Sequence, residues 1–270
     1  MNSNSEKSAL WSKSTGVGVP VVMIHGAFCD YRYWSPQQAS YGHQYRAISV
    51  SLRGYYPDNR LAADETLSAE RHVAQVCNFL RTLSEPVHLI GHSRGGRIAL
   101  HVAARQPDLV RTLVLAEPGG TLADDFPPAK NATGIAGGDV RDRTQALIEG
   151  HDPEAGLRLY VDSGHGAGAW DRSPHVFRKV AIENARTIVW MSGDVSAALS
   201  RDVASQISSP TLLVAGDSSP PLFGHILDVL QGSLKSASRV TIADANHFLT
   251  LARPQEFDRE VVRFWSVVTS

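Results

Sequence analysis

The chain has 270 residues, 43% of them hydrophobic and 20% charged, with a formal net charge of −1. That length can bury one large core, and the charge balance argues against nucleic acid or an anionic membrane surface as the main partner. No apolar stretch approaches the roughly 20 residues of a membrane span, and Cys29 and Cys77, which lack metal-ligand spacing, are expected as free thiols of a reducing, cytoplasmic setting.

In chain order, the first eight residues are polar and carry no apolar stretch of the kind a secretory signal needs. Residues 10–19 are expected to add short antiparallel edge strands. A continuous apolar strand over 21–24 runs into His25-Gly26-Ala27-Phe28. Gly26 permits an unusual backbone angle there, which lets the Ala27 amide face a substrate. A second strand is read at 47–52. Residues 68–83 follow as an amphipathic helix, with Val73, Val76, Phe79, Leu80 and Leu83 on one face.

The strand at 87–90 leads into Gly91-His92-Ser93-Arg94-Gly95-Gly96, and a helical run over 97–105 comes next. A strand, a tight Gly-x-Ser-x-Gly turn and a helix form a nucleophile elbow. Ser93 is expected to stand at the strand's C-terminal end. The Arg94 amide lies beside it at a helix N-terminus, where developing negative charge is favoured. His92 and His101 flank the turn and are expected to pack or hydrogen-bond nearby.

A strand at 112–116 ends in Glu117-Pro118-Gly119-Gly120. The stretch from there to Thr211 is too long for a loop in a compact domain. After a Gly-, Pro- and Asp-rich segment it carries amphipathic runs at 143–149, 154–163, 174–190 and 195–207. We read residues 119–207 as a helical lid over a core made of 1–118 and 208–270. The lid's apolar residues include Leu157, Tyr160, Val161, Trp170, Phe177, Ile182 and Trp190. The bend at Gly164, Gly166 and Gly168 suits Trp170 as a pocket-lining aromatic, and its loss is expected to alter acyl-chain preference more than stability. Phe28 and Tyr160 are the other candidate substrate contacts.

Strands at 211–215 and 240–243 follow, then Asn246-His247-Phe248 and a C-terminal helix over 254–268. A serine hydroxyl needs a base. His247 is the candidate because it follows the last strand and comes after the serine in chain order. Strand–helix alternation predicts a mostly parallel sheet flanked by helices, an α/β fold.

Taken together, His25-Gly26, Arg53-Gly54, the Gly91–Gly96 turn, Pro210-Thr211-Leu212-Leu213-Val214-Ala215-Gly216-Asp217 and Asn246-His247-Phe248 resemble the α/β-hydrolase superfamily, in its lid-bearing esterase, lactonase and C–C hydrolase branch. The resemblance implies a Ser–His–acid triad. The chain departs from the family pattern twice. The usual Asp-x-x-Gly-x-Gly reads Ser51-Leu52-Arg53-Gly54-Tyr55-Tyr56-Pro57, a bulkier loop expected to shape the pocket. The usual Gly-x-x-Asp reads Gly216-Asp217-Ser218-Ser219, which puts Ser219 at the family's acid position. Glu117, at a strand's C-terminal end on the functional side of the sheet, is the first candidate acid, and Asp217 is the alternative. Chain order permits both.

The resulting expectation is a serine hydrolase, free of cofactor and metal, acting on a small, largely apolar ester or lactone. Ser93, His247 and Glu117 would be catalytic, with Ala27 and Arg94 holding the oxyanion. The Arg94 side chain is a candidate contact for a substrate carboxylate, or it points into the fold. Two other readings stay open: a C–C hydrolase or lyase of the same fold, and a non-catalytic small-molecule receptor, for which the off-pattern Ser219 is the motive.

Overall fold

The computed structural model describes residues 10–59, 67–126, 138–191, 194 and 196–268. Seven strands form one sheet: β1 (Trp11–Thr15), β2 (Pro20–Ile24), β3 (Arg46–Ser51), β4 (Val87–His92), β5 (Val110–Ala116), β6 (Thr211–Gly216) and β7 (Ala237–Ile242). Their order is β1-β3-β2-β4-β5-β6-β7. Only β1 runs antiparallel, pairing with β3 at the edge. The central strands are apolar without interruption because both of their faces are covered. Val21, Met23, Ile90, Val114 and Val214 point to one side, and Val22, Ile24, Leu89, Leu113 and Leu213 to the other.

Helices α1 (Ser35–Tyr41), α2 (Ala69–Leu80) and α3 (Arg94–Arg105) lie between the early strands. The Ser68 hydroxyl caps α2 by accepting from the Arg71 amide at 3.1 Å. Among the described residues of the β5–β6 connection there are six helices: α4 (Gly138–Glu149), α5 (Pro153–His165), α6 (Ala169–Arg172), α7 (His175–Glu183), α8 (Thr187–Met191) and α9 (Arg201–Ser205). The chain then forms α10 (Pro221–Gln231), α11 (Leu249–Ala252) and α12 (Pro254–Val268). No helix among the described residues is long and apolar enough to cross a membrane.

Two runs expected as single helices differ. The 174–190 run breaks into α7 and α8 at Asn184. The Asn184 side chain donates to Asp30 Oδ2 at 2.8 Å and accepts from the Tyr56 amide at 2.8 Å, tying the insertion to the core. The 195–207 run is helical only over α9. Leu199 forms a bridge with Leu122, and the Ala123 amide donates to Leu199 at 2.8 Å. The two stems of the insertion are thereby joined where a helix would need those same backbone groups.

The core contains neutral histidines with a consequence for stability. Burial pushes His25 down to about 4, and His72 and His92 to about 3. In the unfolded chain each titrates near 6.5, so unfolding takes up protons and stability is lost as pH falls below that value. At pH 5 each of the three costs about 2 kcal/mol, together of the order of a domain's whole stability. The melting temperature is therefore expected to fall steeply between pH 7 and pH 5, followed by circular dichroism. A flat profile over that interval would mean that these imidazoles are already charged in the fold.

Candidate active site

Ser93 joins β4 to α3 with φ 51° and ψ −121°, a left-handed backbone that a non-glycine residue adopts only when held there. The restraint is visible. Its amide donates to Ala116 at 3.0 Å, and its carbonyl accepts from Gly96 (2.9 Å), Arg97 (3.2 Å) and Gly119 (2.9 Å). Gly95 has to be glycine, since a Cβ there would lie 2.3 Å from the Ile24 carbonyl oxygen. Ser93 thus stands at the C-terminal end of the sheet and lines a cavity of about 170 Å³.

His247 lines the same cavity. Its Nδ1 lies 2.8 Å from Glu117 Oε2, and Glu117 Oε1 accepts from the Gly216 amide at 2.7 Å. Glu117 is fully buried and its φ is 43°. That backbone turn, one residue past β5, swings the carboxylate toward the histidine. An ionised carboxylate only accepts, so Nδ1–H donates to it and Nε2 keeps a free lone pair. Burial raises Glu117, opposed by the Gly216 amide and the nearby Ser219 hydroxyl. Burial and the neighbouring His165 hold His247 well below its ordinary value, so the resting ring is neutral, as a base must be.

Asp217 takes another place. Its carboxylate accepts from the Asp244 amide at 3.0 Å and the Ala245 amide at 3.2 Å, and these bonds hold its pKa down. It braces the loop that carries His247 from the solvent side. Ser219, at the family's usual acid position, is neutral and half-buried, with its hydroxyl oxygen buried near Glu117.

Ala27 and Arg94 both line the cavity. Arg94 opens α3, so its amide is one of the helix-terminal N–H groups without an intrahelical acceptor. The Ala27 loop is shaped by His25, whose Nδ1 donates to the Gly26 carbonyl at 2.8 Å while Nε2 accepts from the Leu52 amide at 3.1 Å. Tyr55, from the bulky loop after β3, stands edge-on to His25 at 4.7 Å. It reaches the pocket through that ring and through its hydroxyl, which donates to the sulfur of the cavity-lining Met191 at 3.1 Å. His92 donates through Nε2 to the His247 carbonyl at 2.8 Å, and His101 bonds the Ala198 carbonyl at 3.0 Å.

This strand order, with a strained serine after β4 and a histidine after β7, is matched by a family description. The alpha/beta hydrolase fold family matches residues 19–254. The chain belongs to that family. An (E)-2-((N-methylformamido)methylene)succinate hydrolase of Acinetobacter baylyi is 26% identical over 263 residues, covering 94% of this chain and 92% of the relative. A 2-(acetamidomethylene)succinate hydrolase of Mesorhizobium japonicum is 22% identical, covering 93% and 90%. The crystal structure of a bromoperoxidase from Bacillus anthracis superposes with a TM-score of 0.77 at 20% identity, covering 95% of each chain.

Within this α/β-hydrolase chain, Phe28 and Tyr160 line the cavity and meet edge-on at 5.2 Å. Trp170 does not join them. It is fully buried against Phe177, with its amide donating to Asp162 at 2.8 Å. The glycine bend turns Trp170 inward, where the ring packs on Phe177 while its Nε1–H donates to Glu154 Oε1 at 3.4 Å. Trp170→Ala is therefore expected to cost about 3–5 kcal/mol. The melting temperature should drop by roughly 10 °C while the ranking of acyl esters is kept. A changed ranking at an unchanged melting temperature would return Trp170 to the pocket. Ile182 is exposed, and the Trp190 side chain lies outside the described residues.

Two neighbours of His247 escape sequence reasoning. Phe223 stacks on its ring at 4.0 Å with an interplanar angle of 16°. His165, the last residue of α5, meets the ring edge-on at 5.0 Å, and its buried Nδ1 has no hydrogen-bond partner among the described residues. The only local sign of His165 is its place between Gly164 and Gly166, in the bend from which Trp170 was expected to point. Among the described residues no group of three His, Cys, Asp or Glu side chains could hold a metal ion.

Proposed function

We propose that the protein is a serine hydrolase that cleaves a small carboxylic ester or lactone through an acyl-enzyme. The observation that carries this reading is the 2.8 Å contact between His247 Nδ1 and the buried Glu117 carboxylate, at a cavity that also holds Ser93. Ser93 attacks the carbonyl carbon as His247 Nε2 takes the hydroxyl proton. Glu117 stabilises the imidazolium that forms. The amides of Ala27 and Arg94 hold the oxyanion, worth about 3 kcal/mol per donor. His247 returns the proton to the leaving alkoxide, then draws a proton from the water that attacks the acyl carbon and passes it to Ser93 Oγ as the acid is released. The helices of 119–207 act as the lid, and Phe28, Tyr160, Phe177, Phe223 and Phe248 hold the apolar part of a cytoplasmic small-molecule substrate.

The end-to-end likeness to hydrolases of substituted methylenesuccinates favours a second reading, in which the same serine attacks a non-ester bond, C–N or C–C. A panel of aryl esters, lactones, N-acyl enamines and vinylogous diketones separates the two. The reading common to both is tested by a fluorophosphonate. A mass adduct on Ser93 is expected, blocked by prior heat denaturation. A folded protein that takes no label would be a receptor on a hydrolase scaffold.

A further inference from the structure

One wall of the cavity is cationic. Arg94 and Arg97 reach it from the first turn of α3 and Arg141 from α4, whereas Asp194 is the only carboxylate among the described lining residues. The lining histidines do not alter this balance: burial lowers His92, His165 and His247 alike, so their rings stay neutral near pH 7.

Asp194 cannot neutralise this wall. Its Oδ2 is shared by Arg94 Nη1 at 3.1 Å, Arg97 Nη2 at 3.3 Å and the Ala69 amide at 2.8 Å. Its Oδ1 is taken by the Ser196 amide and hydroxyl. Arg94 also donates to the Leu67 carbonyl at 3.0 Å. Even so, the Nε atoms of both Arg94 and Arg97 are buried with no hydrogen-bond partner among the described residues, although the two residues are only 7% and 4% exposed. Buried guanidinium groups are otherwise bonded and paired, because an uncompensated buried charge is costly. The mutual repulsion is visible in Arg97, pushed down to about 10 by burial and by the Arg94 charge, with Arg141 adding to it.

The backbone is shaped around this group. Gly120 has φ 147°, and a Cβ there would lie 2.5 Å from Arg97 Cδ. The turn that follows Glu117 thus leaves room for the arginine stem next to the serine. Arg141 lies by Tyr160, and its charge offsets part of the rise that burial gives the Tyr160 hydroxyl.

We infer that the substrate is an anion, whose carboxylate is held by the Arg94, Arg97 and Arg141 wall while a neutral acyl group of the same molecule lies at Ser93. Guanidinium groups match a planar carboxylate through paired N–H donors, and a dry cavity wall strengthens the attraction. The apolar rings opposite hold the remainder of the molecule. Arg94 then serves the site twice, through its amide at the carbonyl and through its side chain's charge at the far carboxylate.

This inference rests on the hydrolase reading for its substrate, but direct binding tests it apart from catalysis. The experiment is a calorimetric titration of the intact protein near neutral pH with succinate, butyrate and the neutral butyramide. Succinate and butyrate are expected to bind and butyramide not to. Arg141→Gln, a half-buried position that the fold tolerates better than α3, should weaken carboxylate binding at least about tenfold. Where turnover is available, a hemisuccinate aryl ester should be preferred over its methylated neutral counterpart, and Arg141→Gln should lower that preference mainly through KM. A carboxylate that binds while Ser93 takes no fluorophosphonate would keep the anion wall and end the hydrolase reading. No heat of binding for either carboxylate, or equal affinity in Arg141→Gln, would overturn the inference and leave Asp194 as the cluster's sufficient partner.

Discussion

Ser93→Ala is expected to lower kcat for an activated ester by about 10⁶-fold while the melting temperature stays within a few degrees of wild type. In the proposed mechanism the hydroxyl supplies the covalent step, and no hydrogen bond that holds the elbow uses it. The restraints on the strained backbone come from the Ala116 carbonyl and the Gly96, Arg97 and Gly119 amides, all of which an alanine keeps. His247→Ala should cause a loss of similar size. The double variant should be hardly worse than either single one, because the two groups act in one step. Measured turnover of purified variants decides it. A Ser93→Ala protein within tenfold of wild type would place the chemistry elsewhere, and losses that multiply would mean that the two side chains act independently.

Glu117→Gln carries the second large effect, a loss in kcat of about 10⁴-fold. The substitution keeps size and leaves one oxygen for the Gly216 amide. The other atom facing His247 Nδ1 is then an NH₂ donor. It holds the ring in the tautomer with the proton on Nε2, where it cannot accept from Ser93, and it cannot stabilise the imidazolium. Asp217→Asn is expected to change kcat by less than about threefold, since its carboxylate accepts only from neighbouring loop groups, the Asp244 amide at Oδ2 and the Ala245 amide and Ser218 hydroxyl at Oδ1, and an asparagine keeps one of the two oxygens. Comparing kcat of the two variants on one ester settles the assignment. The reverse outcome, a crippled Asp217→Asn beside an active Glu117→Gln, would restore the family's more common position for the acid.

Much of the fold could be read locally. The apolar runs of β2, β4, β5 and β6 lack alternation because parallel strands are covered on both faces, so their place in the sheet is written in composition. The nucleophile turn is equally local: glycines around Ser93 and a helix beginning at once define its shape within six residues. The insertion was legible as a helical segment but not in its divisions. Asn184 ends α7 for the sake of bonds to Asp30 and Tyr56, and Leu199 leaves the helix to meet Leu122. Those partners are far away in the chain, and no periodicity near Asn184 or Leu199 records them.

The sequence by itself therefore determined the α/β fold class, the position of the serine at a strand–helix corner, and the set of groups from which a base and an acid could be drawn. The tertiary structure alone decided which of them meet. Glu117 reaches His247 across 130 positions of chain because β5 and β6 are neighbours in the sheet and a left-handed residue turns the carboxylate, whereas Asp217 faces loop amides. It also decided that His165 and Phe223 flank the histidine, that Trp170 is sealed in the core, and that three arginines line one cavity. Turn shape and strand burial depend on sterics between near neighbours. The pairing of charges and rings depends on distances that exist only once the sheet and its insertion have closed on each other.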